Sequence, residues 1–543
     1  MLKKNQIVQI KITDVTAEGN GVGHYEGMAV FVPMTAVGDD ITAKIVKVNK
    51  HYAYGIINKI ISPSESRVPS DCEVSEKCGG CTFRHISYKA ELEIKSKIVK
   101  DAFERIGGLN PVFEPILPCD NRNFYRNKVQ YPVADLNGQA VCGFYAKRSH
   151  RVIPFTSCRL QDGIFKDISD DILRFINDNH IHAYNEENNC GTVRHIYLRR
   201  GCHTSEVMVC IVVRKNISSE LKNLSRILIE KYPSIKSFMM NINPDNTNVI
   251  LGKKNICISG STYITDIMCG NKIELSLNSF YQINTIQAEK LYSIAKNYAD
   301  LNGSEFILDL YCGAGTIGLS MSDCVEKIIG VEIIPQAIEN AKKNAEINNI
   351  HNAEFICGDA SYIAQKLAEQ NISPDVIFLD PPRKGCDYAA LEAVTQMLPK
   401  KIIMISCNPA TAARDCKLLS GLHYSVLNVY PVDMFPATGH VETVCLLSKL
   451  KSDQHIEVEL KTDELDLTSA ESKATYDEIK AYVKEHSGLT VSSLNIAQVK
   501  QKYGIIEREN YNKAKTKDSR QAKCTKEKEE AIVGALKYFK MIK

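Results

Sequence analysis

Residues 306–319, FILDLYCGAGTIGL, decide how the second half of the chain folds. FILDL is apolar enough for a buried strand, and Gly313, Gly315 and Gly318 give the backbone that follows the freedom to turn tightly into a helix. A second apolar run, IIGVE, ends on the carboxylate of Glu332, and PQAIENAKKNAEINN (335–349) reads as the helix after it. Strand, glycine turn, helix and strand make a βαβ unit, with an acid placed to accept both ribose hydroxyls of a nucleotide-like cofactor. A dinucleotide fits the same elements, so this unit predicts a Rossmann-like α/β half without choosing its cofactor.

Two more strands in this half end in reactive groups. DVIFLDPPR (375–383) brings Asp380 to a sheet edge before a rigid Pro-Pro turn. IIMISCNP (402–409) is β-branched and apolar until Ser406, and it delivers the thiol of Cys407 to the carboxyl edge of the sheet, where open α/β sheets bind ligands. Farther on, DMFPATGHVETV (433–444) carries His440 and Glu442 to the opening of a last strand.

Working outward to the N-terminus, QIVQIKITDV, MAVFVP, ITAKIVKVN and YAYGIINKI are period-two runs broken by the turns EGNGVG and VGDD. Such short strands predict a small oligonucleotide-binding-type barrel over residues 1–60. Next, Cys72, Cys78 and Cys81 fall within ten residues, with Gly79 and Gly80 letting the backbone wrap a ligand. Three clustered thiols need a thiophilic partner, zinc or an iron-sulfur cluster, and a fourth ligand. Cys119, Cys142 and Cys158 are equally placed to supply it. Two basic and aromatic runs follow, RNFYRNK (122–128) and YAKRSHR (145–151), a pairing suited to phosphate contact and base stacking. From residue 162 to 273, strand-like runs alternate with the helix SELKNLSRILIEKY, an α+β pattern.

The chain's 543 residues suit three or four domains at about 150 each. No apolar run is long enough for a membrane span and the first residues lack a signal-peptide pattern, so a cytoplasmic protein is expected. Nineteen cysteines in a reducing compartment exclude a disulfide framework, leaving metal binding or catalysis for the clustered ones. A net charge of +3 neither requires nor excludes nucleic acid, because only a locally basic face matters.

Together YQIN (281–284), DLYCGAGTIGL (309–319), GVE (330–332), LDPPRKG (379–385), SCNP (406–409) and DMFPATGHVETV resemble the RNA uracil-5-methyltransferases, in their ribosomal branch. The resemblance spans about residues 1–450. It implies a TRAM barrel over 1–60, a central α+β domain with an iron-sulfur centre over 61–273 and a Rossmann-like methyltransferase domain over 274–450; outside it, the sequence pattern of 451–543 reads as a linker and helical appendage. It further implies a [4Fe-4S] cluster on Cys72, Cys78, Cys81 and Cys158, and S-adenosylmethionine held by Gln282, Tyr311, Glu332 and Asp380. Thr316 departs from the asparagine of some relatives. The implied reaction is methylation of carbon 5 of a uridine in 23S ribosomal RNA by a monomeric, membrane-free enzyme, with Cys407 as nucleophile and Glu442 as base. A tRNA uridine is the alternative substrate, and an RNA-binding iron-sulfur carrier without methyl transfer is the alternative class.

Overall fold

The computed structural model describes residues 2–450, 476–503, 525–539 and 541. Met1–Ser452 form one compact unit and Asp453–Lys543 a second. In the first, Ile7–Val15, Asn20–Tyr25, Met28–Pro33, Asp40–Val48 and Tyr52–Ser62 close into a barrel. Alternation along these strands sends Ile10, Ile12, Val30, Val32, Ile41 and Ala43 inside. The third and fifth strands run parallel, so the closure is not purely antiparallel.

A seven-stranded sheet with the helices Gly163–Asp178 and Ser218–Lys231 forms the middle of the chain. Val193–Arg200 and Val207–Val213 are buried along their lengths because neighbouring layers cover them.

The last part is an eight-stranded sheet. Its order is Ala353–Cys357, Lys327–Glu332, Phe306–Leu310, Val376–Leu379, Lys401–Ser406, Glu442–Lys449, Tyr424–Val432 and Val112–Phe113. The first five are parallel, and Glu442–Lys449 inserts antiparallel beside Lys401–Ser406. After Phe306–Leu310 the chain winds one way, to Lys327–Glu332, and later returns on the other side with Val376–Leu379. The crevice between these directions is the switch point at which open α/β sheets bind ligands. The helix Tyr88–Asp101 and the strand Val112–Phe113 join this layer although they precede the central sheet in sequence: Val99 lies in its core and Phe113 packs against it.

In the second unit, Tyr476–Ser487, Ser493–Lys502 and Lys526–Tyr538 are helices around Ile479, Val483, Ile496, Val499, Ile532 and Leu536. The linker expected from residue 451 lies outside the described residues up to residue 475. No helix among the described residues is long and apolar enough to cross a membrane.

Candidate active site

Cys407 leaves the strand Lys401–Ser406 directly before the helix Pro409–Gly421. Asn408 caps that helix, its side chain accepting from Ala410 N at 3.1 Å, and Pro409 occupies the first turn, where a missing N–H costs nothing. The thiol therefore sits at a helix N-terminus, whose dipole favours a thiolate. Register brings Glu442 opposite. Ser406 pairs with Thr443 across the antiparallel ladder, and Cys407 and Glu442 are the next residues on the two strands.

Asp380 and Arg383 complete the group. Asn408 Nδ2 donates to the Arg383 carbonyl at 3.1 Å, so the Ser-Cys-Asn-Pro and Pro-Pro-Arg turns are tied together. Arg383 Nη2 lies 3.4 Å from His440 Nε2. Burial pushes Glu442 up to about 8, the Asp380 carboxylate adds to that, and Arg383 pulls it back. Asp380 is pushed up to about 7 by burial alone. Burial raises the Cys407 thiol, as does the Glu442 carboxylate, while Arg383 favours its thiolate. His440 is pulled down to about 4 by burial and then by Arg383, Lys95 and Arg126, which keeps its imidazole neutral. A thiol, two protonatable carboxyls and one guanidinium thus converge at a sheet edge, a combination suited to nucleophilic addition and proton removal.

The adjoining crevice has the features of a nucleotide site. Tyr311, Gly313 and Gly315 have φ of +66°, +54° and +80°, and a Cβ on Gly313 would meet nothing within 4 Å, so the turn leaves open space beside it. Glu332 is braced at the second strand's end by N–H donation from Gly313 at 3.2 Å and Ile334 at 3.0 Å. Beneath the loop, Asp309 accepts from Gly318 N at 2.9 Å, and burial pushes it up to about 7. Gln282 precedes the helix Thr285–Ala299, with its carbonyl held by Asn127 Nδ2 at 2.8 Å. Thr316 contacts Tyr292, hydroxyl to hydroxyl at 3.1 Å. Asp309 and Arg383 are site residues that sequence reasoning did not single out. Both flank residues it chose, and the charge of Arg383 directly after Pro-Pro was the available signal.

Cys72, Cys78, Cys81 and Cys158 line one cavity of about 170 Å³, walled by Phe144 and Phe155. Cys119 and Cys142 do not join them. Cys119 Sγ contacts the Asn121 carbonyl at 3.2 Å, and Cys142 is buried in the strand Gln139–Tyr145. Gly79 is needed where it is: its N–H reaches the Tyr145 carbonyl at 3.1 Å, and a Cβ there would stand 3.1 Å from the same oxygen. Burial pushes Cys81 up to about 11 against the pull of Arg84, with Cys158 and Cys72 adding to the rise. Arg84 Nε and Nη2 and Arg126 Nε, on the same wall, have no hydrogen-bond partner. Four thiols line one apolar cavity together with Arg84, whose Nη1 is paired with Asp71 at 3.2 Å, and Arg126, a donor set that suits an anionic, thiolate-bound group. Among the described residues no three His, Cys, Asp or Glu side chains stand at single-ion spacing. A zinc ion, drawing its sulfurs to about 2.3 Å, would require closer convergence than a four-iron cluster.

The two basic runs differ. Arg122 turns inward, paired with Glu91 at 2.8 Å and donating to the Phe83 and Ile86 carbonyls. Lys128 is largely covered, and burial pulls it down to about 8. Of the 122–128 run, Arg122 is therefore spent inside the fold and Lys128 is largely covered, so neither belongs to an open phosphate-binding face. Lys147, Arg148, His150 and Arg151 are exposed, with Tyr145 stacked on His150 at 5.2 Å.

Residues 201–450 match the tRNA (Uracil-5-)-methyltransferase family and residues 2–57 the TRAM domain. An uncharacterized RNA methyltransferase of Clostridium acetobutylicum is 42% identical over 452 residues, covering 83% of this chain and 98% of its own. One from Bacillus cereus is 40% identical over 454 residues, covering 83% and 98%. The chain belongs to the RNA uracil-5-methyltransferase family. This family is one of enzymes, so the carrier alternative gives way. Among solved structures, the Pyrococcus abyssi tRNA (uracil-54, C5)-methyltransferase in complex with S-adenosyl-L-homocysteine superposes with a TM-score of 0.66 at 27% identity, over 81% of this chain and 99% of that one.

Proposed function

We propose that this uracil-5-methyltransferase modifies a uridine of 23S ribosomal RNA, using S-adenosylmethionine, through a covalent adduct on Cys407. The observation that carries the reading is the meeting of Cys407 and Glu442 from two adjacent strands, with Asp380 and Arg383 beside them. Carbon 5 of uracil is a poor nucleophile until a thiolate adds at carbon 6. Cys407 Sγ forms that bond, and the electron pair passes to the ring as an enolate. S-adenosylmethionine, when bound, supplies the methyl group that carbon 5 takes. Glu442 then accepts the carbon-5 proton, the carbon 6–sulfur bond breaks, and Cys407 leaves as thiolate. Arg383 favours the thiolate at both ends of the cycle. Glu332 receives the ribose hydroxyls of the cofactor, Tyr311 and Gln282 border it, and Asp380 orients the uracil. Because a stacked base is unreachable, the uridine is flipped into the crevice.

Cys72, Cys78, Cys81 and Cys158 would hold a [4Fe-4S] cluster, and the unpaired nitrogens of Arg84 and Arg126 suit its negative charge. The domain division at residues 60, 273 and 450 is part of the same reading: barrel and exposed 145–151 run for RNA, last sheet for chemistry. The likeness to a tRNA enzyme favours tRNA as the second reading. Incubation with methyl-labelled donor decides between them: label in unmodified 23S transcript and not in tRNA supports the proposal, and the reverse replaces the substrate.

A further inference from the structure

Residues 433–441, which lead into Glu442, contain only turns and bends, so no ladder fixes their path. Ala437 in this loop has φ +66°, a conformation that costs an L-residue about 1–2 kcal/mol and must be held from outside. The helix Tyr88–Asp101 supplies the charged part of the holding, while Asn284 Nδ2 donates to the Met434 carbonyl at 2.9 Å and Asp433 N to the Leu117 carbonyl at 3.0 Å. Lys95 Nζ donates to Glu91 Oε1 at 2.8 Å, to Asp433 Oδ1 at 2.7 Å and to the Phe435 carbonyl at 3.1 Å. Glu91 accepts from Ala437 N at 2.6 Å, and Tyr88 donates to Asp433 at 2.7 Å. Directly after Cys81, the N–H groups of Thr82 and Phe83 donate to the Ala437 carbonyl at 2.8 and 3.0 Å. Tyr125 donates to the Pro436 carbonyl at 3.0 Å, and a Cβ on Gly439 would stand 3.1 Å from Ala17 O of the barrel.

The side chains of Lys95, Glu91 and Asp433 are fully buried. Buried ions are a poor means of gaining stability, because apolar side chains of similar volume often do as well or better; in some proteins such a network instead fixes one conformation. Here that conformation belongs to the loop delivering His440 and Glu442, while Cys407 rides on a different strand. We propose that Lys95, with Glu91 and Asp433, is a positioning group for proton removal: it fixes the 433–441 loop so that Glu442 meets the ring held by Cys407. This rests on the roles given above to Cys407 and Glu442.

The test uses the full chain as Lys95→Met and as Lys95→Met/Glu91→Gln, the second removing one charge of each sign. Both should melt cooperatively, bind S-adenosylhomocysteine as wild type does, and form a stable adduct with 5-fluorouridine RNA. With ordinary uridine RNA, turnover should fall about a hundredfold, the size expected for a displaced catalytic group, while a methylated protein–RNA adduct accumulates. Wild-type turnover in the double variant overturns the proposal. So does adduct yield falling in step with turnover, or a double variant that does not fold, since the network would then be a structural requirement. Glu442→Gln runs in parallel. If it accumulates adduct and the Lys95 variants do not, positioning alone is wrong; if it accumulates none, the base assignment falls and takes this proposal with it.

Discussion

Cys407 and Glu442 meet at the ends of adjacent strands, whereas Cys72, Cys78 and Cys81 share one irregular stretch and border a cavity with Cys158 from a distant one. In the first site the β-ladder sets the partners, because a one-residue slip would turn every side chain to the other face. In the second, single contacts such as Gly79 N to the Tyr145 carbonyl set them. Register chooses the partners of the first site, and the tethered 433–441 loop completes the placement of Glu442. The second depends on each tether.

The contrast is broken most severely through the thiols themselves. Cys407→Ala should abolish turnover and leave S-adenosylhomocysteine titration unchanged, since the glycine crevice lies on other strands. Loss of ligand binding as well would make Cys407 structural. On the irregular side, anaerobic reconstitution of iron and sulfide should give about four irons per chain. Cys158→Ser should lose most of that iron and its visible absorbance, while Cys119→Ser and Cys142→Ser keep both. Equal loss in all three would dissolve the distinction between cavity and bystander thiols.

Smaller effects sharpen the electrostatics. Arg383 lowers both Cys407 and Glu442 toward their charged forms. With the base pushed up to about 8, single-turnover rate should rise with pH through that value, and Arg383→Gln should move the rise to higher pH. A rise unmoved by Arg383→Gln would exclude this coupling. Glu442 also carries a stability cost of definite sign. Its folded value lies above the ordinary 4.5, so the folded state binds the extra proton and stability falls as pH rises from 4.5 to about 8. Glu442→Gln should therefore exceed wild type in unfolding free energy at pH 8, by an amount on the order of a few kcal/mol at most, with the gap closing toward pH 5. A gap independent of pH would place its origin elsewhere.

Legibility in the sequence follows the same division. Strands ending on Glu332, Asp380 and Cys407 could be read because apolar runs, glycine turns and Pro-Pro punctuate them. The thiol cluster was legible as three residues in ten, but the fourth was open by spacing among Cys119, Cys142 and Cys158, because only folding folds Cys158 back onto the cavity. Val112–Phe113 was invisible, since two residues carry no period. Lys95 was hidden for another reason: Glu91 and Lys95 stand four apart in a helix, the pattern of an ordinary exposed pair. Arg122 misled in the opposite direction, a cation in a basic run that burial turned inward.

The central claim is that Cys407 and Glu442 act on one pyrimidine ring. Glu442→Gln, incubated with methyl-labelled S-adenosylmethionine and 23S ribosomal RNA, tests it most directly by digestion and mapping of any protein–RNA adduct. The account predicts a labelled adduct attached at Cys407; a variant that releases methylated RNA at the wild-type rate, or an adduct on another residue, would contradict it.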